Sequence, residues 1–231
     1  MSLKIDWATH EAAKYSCEKW HYSSCLPTGK LVKVGVWENS RFIGVVIFSR
    51  GASPRIGHFA KLDQTEICEL TRVALTNHIT PVSRILTIAV KFLRKNCPGL
   101  RLVVSYADSS EGHHGGIYQA CNWIYVGSTR SPGFVINGSP MHFRSVQMKY
   151  GTGSLSALIA KGVNVRKILC EPKLKYLMPL DDEMRKRVQS LSKPYPKRAG
   201  SKANVAVGFH STGDGATPIP ALQSYSQTVN E

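Results

Sequence analysis

One short run of the chain gathers side chains that transfer protons or bind metal ions. Asp108 ends an apolar stretch, His113 and His114 follow it between glycines, and Tyr118 lies four residues further on. Carboxylate, imidazole and phenol groups carry out acid–base catalysis, and ligands of α/β folds bind where a strand gives way to a helix. The run therefore predicts a reactive site over 108–118. The alternative is a capped loop with exposed histidines.

A second group of this kind lies early in the chain. Trp20, His21 and Tyr22 follow a predicted helix, where a histidine can simply interact with the helix dipole. Beside Asp108 and Tyr118, His21 and Tyr22 would complete a site. His21 and Asp108 are suitable ligands for a transition metal and equally suitable groups for acid–base chemistry. The residue types leave both uses open, and they leave open which histidine reacts.

Two charged residues interrupt the apolar strand predicted over 66–75. Strict alternation along a strand places Glu69 and Thr71 on one face, and Leu70 and Arg72 on the other. A charge inside an apolar strand is costly unless it is paired or bound to a ligand. We therefore expect Glu69 or Arg72 to face a substrate, the alternative being an ion pair at a sheet edge.

The loop after this strand, over 76–84, leads into the clearest helix of the chain. Backbone N–H groups at a helix start bind anions, and Ser83 and Arg84 add two donors. The loop predicts an anion-binding site, unless it is an ordinary capped helix start.

The remaining pattern places these residues on a sheet with flanking helices. Helices are predicted over 9–19, 82–95 and 114–122, and strands over 31–37, 42–48, 66–75, 100–106, 123–128 and 142–150. The apolar stripe of the second helix and the hairpin of the first two strands are the clearest signals. This order of elements indicates an α/β (α+β) fold with a mixed sheet.

The charge balance points to an acidic partner. The chain has 231 residues and a formal net charge of +15, which favours nucleic-acid binding. Eleven Lys or Arg residues against four acids lie over 161–199, so we expect phosphate contact there. The predicted divisions are a catalytic domain over 1–150, a basic helical appendage over 151–192 that contacts nucleic acid, and a disordered tail over 193–231.

Neither a membrane span nor a secretion signal is expected. No apolar run approaches the roughly 20 residues of a membrane helix, and the first residues lack an apolar signal core. The six cysteines form no C-x-x-C pair, which is typical of a reducing compartment. We therefore expect a cytoplasmic protein.

Several of these segments resemble the Mom family of bacteriophage DNA-modification proteins. The similarity covers about residues 1–150, and its most specific part is the run over 108–127. It also includes the segments 20–23, 35–38, 42–48, 69–75 and 81–83. The resemblance implies a fold related to the Gcn5-type N-acyltransferases, with a mostly antiparallel central sheet and flanking helices.

The resemblance implies an enzyme that adds a carbamoylmethyl group to N6 of adenine in double-stranded DNA. This modification hides phage DNA from restriction enzymes in the host bacterial cytoplasm. The resemblance also implies iron. It places His21, Tyr22, Asp108 and Tyr118 in the catalytic set, with His21 and Asp108 as metal ligands. It also places Arg72 and Ser83 in donor binding, and the predicted anion-binding loop adds Arg84 to this cofactor-binding set. Independently of the resemblance, we expect substrate to be bound by Glu69, Ser105, Tyr106, His113 and His114.

The added group restricts the donor. CH2–CO–NH2 is an isomer of glycyl, CO–CH2–NH2, and acetyl transfer alone supplies no nitrogen. We therefore expect an activated glycine, such as glycyl-tRNA, with acetyl-coenzyme A as the other candidate. Residues 73–83 contain no glycine, unlike the pyrophosphate loop of typical acyl-coenzyme A enzymes of this fold.

Adenine N6 is buried in the base stack, so the enzyme is expected to flip the base into an aromatic cradle. The candidates for that cradle are Trp20, Tyr22, Tyr106 and Tyr118. Two other functions stay open, a conventional acetyl-coenzyme A-dependent N-acetyltransferase on a protein or small amine, and a non-catalytic nucleic-acid-binding protein. The oligomeric state is open as well.

Overall fold

The computed structural model describes residues 2–51 and 53–197, which form ten strands and six α-helices. The strands are β1 (Leu3–Trp7), β2 (Leu31–Glu38), β3 (Arg41–Ser49), β4 (Ile67–Leu75), β5 (Leu102–Asp108), β6 (Ile124–Thr129), β7 (Pro132–Ile136), β8 (Ser139–His142), β9 (Val165–Leu169) and β10 (Lys173–Pro179). The helices are α1 (His10–Trp20), α2 (Val82–Asn96), α3 (Gly116–Ala120), α4 (Phe143–Tyr150), α5 (Leu155–Ala160) and α6 (Asp182–Gln189). In this described part of the chain, no helix has the length and apolar character that crossing a bilayer requires.

Seven strands form the central sheet, in the order β1-β2-β3-β4-β5-β10-β6. Every neighbouring pair is antiparallel except β4 and β5, which run parallel because α2 crosses between them. α2 and α3 pack on one face with the largest hydrophobic core, which we call the α2 face. α1 and α6 cover separate parts of the other face, the α1 face. The expected mixed and mostly antiparallel sheet with flanking helices is confirmed.

The sheet opens between its two parallel strands. β4 and β5 pair from Ile67 opposite Leu102 as far as Leu70 opposite Ser105, and no further. Beyond that point β4 continues beside β3, and β5 continues beside β10. The Ser105 hydroxyl donates to the Leu70 carbonyl (2.9 Å) at the last paired position. The ends of β4 and β5 therefore border a gap in the sheet.

Local sequence signals account for several elements near this gap. Thr9 caps α1 by accepting a hydrogen bond from the Ala12 N–H (3.1 Å). Asn39 and Ser40 both have positive φ, which suits the tight turn of the β2–β3 hairpin. The sequence pattern does not predict β1, which forms the sheet edge beside β2.

β6 and β10 are neighbours in the sheet, although residues 130–172 separate them in the sequence. The intervening chain forms its own three-stranded sheet, β8-β7-β9, together with α4 and α5. Its hydrophobic core is also its own, built chiefly from Phe134, Ile136, Val146 and Leu158. We call residues 130–172 the inserted module.

The structure corrects two expectations in this region. The strand predicted over 142–150 is wrong, because Phe143 and Val146 lie three residues apart on the helix α4 and both pack in the core of the inserted module. The helical appendage predicted over 151–192 is also not a separate unit, since it contains β10. Tyr176 and Leu177 of β10 are fully buried, one in each of two cores, so this strand belongs inside the central sheet.

The start of the predicted disordered tail packs on the fold. The Tyr195 hydroxyl donates to the Trp123 carbonyl (2.6 Å), and the Lys193 N–H donates to the Tyr125 carbonyl (2.8 Å). The expectation of disorder is therefore wrong for residues 193–197. Its remainder, 198–231, lies outside the described residues.

A buried carboxylate fixes the loop that leads into α2. Glu38, only 4% exposed, accepts hydrogen bonds from the Ile79 N–H (2.9 Å) and the Thr80 N–H (2.7 Å), and also from the Thr80 hydroxyl. These bonds, that of the Thr80 hydroxyl foremost, hold the pKa of Glu38 below its ordinary value. The carboxylate therefore joins the β2–β3 hairpin to the segment that positions α2.

We predict that Glu38→Ala lowers the free energy of unfolding by about 2 to 4 kcal/mol, because two buried donors of Thr80 and the partly buried Ile79 N–H lose their acceptor. Urea denaturation measures this, with the exposed Glu18→Ala as the matched control. Because the pKa is depressed in the folded state, the contribution is present above the unfolded value near 4.3 and is lost as the pH falls below it. Equal stability of the two variants at pH 7 contradicts the prediction.

Candidate active site

A β-bulge changes which charged residues share a face. Arg72 pairs with Ile47, but Phe48 pairs with Leu70, so Thr71 is an extra residue in β4. The Thr71 hydroxyl donates to the Ile47 carbonyl (3.1 Å) and fixes the bulge. A bulge shifts the alternation of side chains by one position. Strict alternation is therefore the wrong prediction here, and Arg72 lies on the α1 face.

Arg72 is held on the α1 face by local contacts. Its Nη1 donates to the Thr71 carbonyl (2.7 Å), and its Nη2 lies 4.0 Å from Cys25 Sγ. Its Nε is buried and has no hydrogen-bond partner in the described part of the chain. A buried guanidinium N–H of this kind can donate to a bound oxyanion or carbonyl oxygen.

The α1 face beside the gap carries a row of polar side chains. Cross-strand partners share a face, so Glu69 lies with Ser49 and Ile47 on the same side as Arg72. Tyr106 and Asp108 are on this side too, opposite Lys175 and Lys173 of β10. Lys175 Nζ lies 3.5 Å from the centre of the Phe59 ring. The structure therefore brings Glu69, Arg72, Tyr106 and Asp108 to one surface, which we call the site floor.

Asp108 is an ion-paired carboxylate. Its Oδ2 lies 2.7 Å from Lys173 Nζ, and its Oδ1 accepts hydrogen bonds from Ser110 Oγ (2.6 Å) and the Ser110 N–H (3.2 Å). Burial acts to raise the pKa of Asp108, but Lys173 and Ser110 outweigh it and the pKa lies below its ordinary value. Asp108 is thus charged at neutral pH and accepts protons only from strongly acidic groups.

His21 is fixed in one tautomer. Its Nδ1 accepts a hydrogen bond from the Ser23 N–H (3.1 Å) and lies 2.8 Å from Ser23 Oγ. Because a backbone N–H can only donate, Nδ1 carries no proton, and the neutral ring carries its proton on Nε2. Burial, reinforced by Arg72 and His113, lowers the pKa of His21 to about 4. His21 is therefore a neutral hydrogen-bond donor through Nε2.

Tyr22 connects His21 to the histidines of the run over 108–118. Its ring lies 4.2 Å from the His21 ring and 5.7 Å from the His113 ring, between ring centres. Burial, then the charge of Asp108, raises the pKa of Tyr22. His114 is held through its carbonyl, which accepts a hydrogen bond from the Tyr176 hydroxyl (2.7 Å). The structure thus brings His21, Tyr22 and His113 together at the rim of the site.

Tyr118 and Ser105 lie on the other side of the sheet, at the point where it opens. Tyr118 Oη is 2.8 Å from Ser105 Oγ. Since Ser105 donates its one proton to the Leu70 carbonyl, Tyr118 must donate to Ser105. Burial raises the pKa of Tyr118 to about 12. Tyr118 is therefore a protonated phenol, 8% exposed, bound into the fold on the α2 face.

The predicted cofactor-binding residues do not lie on one face. Ser83 and Arg84 are in the first turn of α2, on the α2 face, and that turn has no acidic residue. The Ser83 carbonyl is 3.1 Å from Cys121 Sγ, which ties α3 to this turn. Arg72 is on the opposite face. A molecule bound in the gap between β4 and β5 could reach both faces.

The predicted iron ligands do not fit a metal site. No group of three or more His, Cys, Asp or Glu side chains suitable for a metal ion occurs within 2–51 and 53–197. His21 has its Nδ1 bonded to Ser23 and its Nε2 protonated, so neither nitrogen offers a free lone pair. Asp108 is bound by Lys173 and Ser110. We therefore derive no step through a metal.

Sequence reasoning missed three contributors to the site. Lys173 and Lys175 were expected to contact phosphate as part of a basic segment, and their place beside Asp108 and Tyr106 depends on β10 entering the sheet. For the bulge at Thr71, the one hint in the sequence is a polar Thr-Arg pair inside an apolar strand.

A family model and known proteins match this chain. The model of the Mom protein family matches residues 2–197. Methylcarbamoylase Mom of Escherichia phage Mu is 24% identical over 202 residues, which cover 84% of each chain. The aminoglycoside acetyltransferase AAC(6')-Ib in complex with coenzyme A aligns with a TM-score of 0.47 and 9% identity, over 81% of this chain and 99% of that chain. IAA acetyltransferase from Bacillus cereus ATCC 14579 aligns with a TM-score of 0.43 and 15% identity, over 78% and 100%. Family membership rests on the sequence comparison alone.

We predict that His21 keeps its proton on Nε2 and stays neutral down to a pH near its pKa of about 4. Long-range proton–nitrogen NMR of the labelled protein measures both the tautomer and the titration, and His21→Gln identifies the signals. Because the folded pKa is depressed, the stability that His21 contributes is full above about pH 6.5 and is lost as the pH falls. An Nδ1–H tautomer, or a titration near pH 6.5, contradicts the assignment.

Proposed function

The chain belongs to the Mom protein family, and on that premise we propose that it is a transferase of phage DNA modification. In this proposal it attaches a carbamoylmethyl group to N6 of adenine in double-stranded DNA, in the host bacterial cytoplasm, and protects the phage DNA from restriction. The observation that carries the proposal is the gap between β4 and β5. Polar groups border it on both faces, with Arg72 and Asp108 on one side and Ser105 and Tyr118 on the other.

Through such a gap, two reactants bound on opposite faces of the sheet can come into contact. In the proposal the DNA base approaches from the α1 face, over the site floor, and the donor approaches from the α2 face, past Ser83 and Arg84. N–H groups and Arg84 at the start of α2 then bind the negatively charged part of the donor. The base and donor each keep a separate binding surface, and their reacting atoms meet between the strands.

The base must leave the duplex to reach the gap, because adenine N6 is inside the base stack. Of the four predicted aromatic residues, Tyr22 is 48% exposed at the rim and Tyr106 lies on the site floor. Tyr118 is buried, and Trp20 packs edge-on against Tyr15 (5.3 Å between ring centres). We therefore propose Tyr22 and Tyr106 as the surfaces on which the flipped adenine stacks.

The proposed reaction with an activated glycine balances without a further reagent. N6 attacks the glycyl ester carbonyl, a C–N bond forms, and the alcohol of the donor leaves with a proton. The glycyl amine then attacks C6 to give a five-membered spiro ring. Cleavage of the original C6–N6 bond yields C6–NH–CH2–CO–NH2. Acetyl-coenzyme A is the other donor candidate, and its product would be N6-acetyladenine.

The site residues suit the first of these steps. When N6 attacks, its nitrogen becomes positively charged and strongly acidic, so even the weakly basic Asp108 carboxylate can accept its proton. The developing oxyanion requires hydrogen-bond donors that need not reorganise. Arg72 Nε and the Nε2–H of His21 are two such donors. In this assignment His21 acts neither as a base nor as a metal ligand.

We predict that DNA from bacteria expressing the wild-type chain contains a deoxyadenosine heavier by the elements of one glycyl residue. Asp108→Asn should reduce its yield by about a hundredfold or more, because the proton acceptor is lost. Mass spectrometry of hydrolysed nucleosides measures this, and Glu18→Gln, a change of the same type on the surface of α1, is the control.

The outcomes separate the candidate functions. A shift by the elements of an acetyl group would replace the glycine donor with acetyl-coenzyme A. No modified nucleoside with folded wild-type protein would overturn the proposed DNA modification and favour acetylation of another substrate. Full activity of Asp108→Asn would remove Asp108 from the chemistry.

A further inference from the structure

The inserted module leaves the central sheet beside the site floor. Thr129, at the end of β6, pairs with Lys173 of β10, and Lys173 pairs in turn with Asp108 of β5. These three residues form one row across the sheet. The chain departs for the inserted module directly after Thr129 and returns just before Lys173. The module is therefore attached at the end of the sheet that carries Asp108.

The inserted module is strongly basic. Residues 130–172 include six Lys or Arg residues and a single acid, Glu171. Its exposed basic side chains include five residues: Arg130, Lys149, Lys161, Arg166 and Lys167. Ion pairs do not neutralise these five within the described ranges 2–51 and 53–197. A net charge of +5, one third of the +15 of the whole chain, thus belongs to a module that leaves the sheet beside Asp108.

β9 carries two of these charges on its two opposite faces, because Arg166 lies opposite Val135 and Lys167 opposite Phe134. β9 is an edge strand that pairs only with β7 in the described sheet, and Arg166 and Lys167 are adjacent on it. Nearby apolar side chains are also exposed, with Ile159 of α5 at 58% and Leu169 of β9 at 66%. Basic groups beside exposed apolar groups are typical of surfaces that hold the DNA backbone and contact the sugars or bases between.

We propose that the inserted module is the duplex-binding element, which holds the DNA backbone beside the adenine that enters the site. This inference rests on the proposed function. Arg166 and Lys167 neutralise phosphates, while the site floor receives the flipped base. The core of the module is complete in itself, so its outer surface is available to a partner. A second copy of the chain fits this surface poorly, because two such basic modules repel each other.

The test is binding of a fluorescent DNA duplex to the full chain without donor, at several salt concentrations. For Arg166→Glu with Lys167→Glu, we expect the Kd to rise about tenfold or more. The slope of log Kd against log salt should also become shallower by about two units, since two phosphate contacts are lost. Lys91→Glu with Arg94→Glu is the matched control, because both residues are exposed on α2 and the charge change is the same.

Each outcome decides one question. The inference is overturned if both double variants lose affinity equally. It is also overturned if Arg166→Glu with Lys167→Glu loses none, a result that leaves the proposed function intact. No duplex binding by the wild-type chain contradicts the proposed function itself. Loss of affinity for tRNA with unchanged affinity for the duplex would assign the module to a donor instead and so also overturn the inference. Urea unfolding midpoints confirm that the variants are folded.

Discussion

The site depends on the single place where two parallel strands stop pairing. β4 and β5 share four paired positions, and at the fourth the Ser105 hydroxyl donates to the Leu70 carbonyl. Tyr118, on the α2 face, donates a hydrogen bond to Ser105 and so fixes its position. If pairing continued, the strands would lie side by side and the sheet would present an unbroken surface to each reactant. The gap, with polar groups on both of its faces, follows from this one interruption.

The electrostatics of the site follow from a surplus of cations around few anions. Burial, with Arg72, keeps His21 neutral, and Lys173 keeps Asp108 charged. A neutral imidazole beside a guanidinium is a reasonable partner for an oxyanion, since both groups donate and neither needs to lose a proton first. The same surplus suits a polyanionic substrate. In the proposed function, affinity for DNA and stabilisation of the oxyanion therefore both use positive charge.

The sequence predicts where helices and strands lie better than it predicts which face of the sheet a side chain occupies. Local signals such as the Thr9 cap, the Asn39-Ser40 turn and the stripe of α2 identify helices and strands, because each depends on near neighbours. Arg72 is assigned to the wrong face because a bulge depends on tertiary pairing that no local pattern shows. Lys173 and Lys175 join the site only when β10 enters the sheet between β5 and β6, and this depends on contacts between distant residues. The side-chain types of the site were predictable, whereas their grouping depended on the sheet.

The inserted module begins and ends at residues that face each other across an antiparallel pair. Thr129 and Lys173 stay opposite each other whatever chain joins them. Segments of different length and shape can therefore replace one another at this point without disturbing the row that ends in Asp108. In the proposed function, natural selection can then change how the duplex is held while the chemistry stays the same. Relatives of this chain should accordingly differ most in length between β6 and β10, and least in the strands on either side.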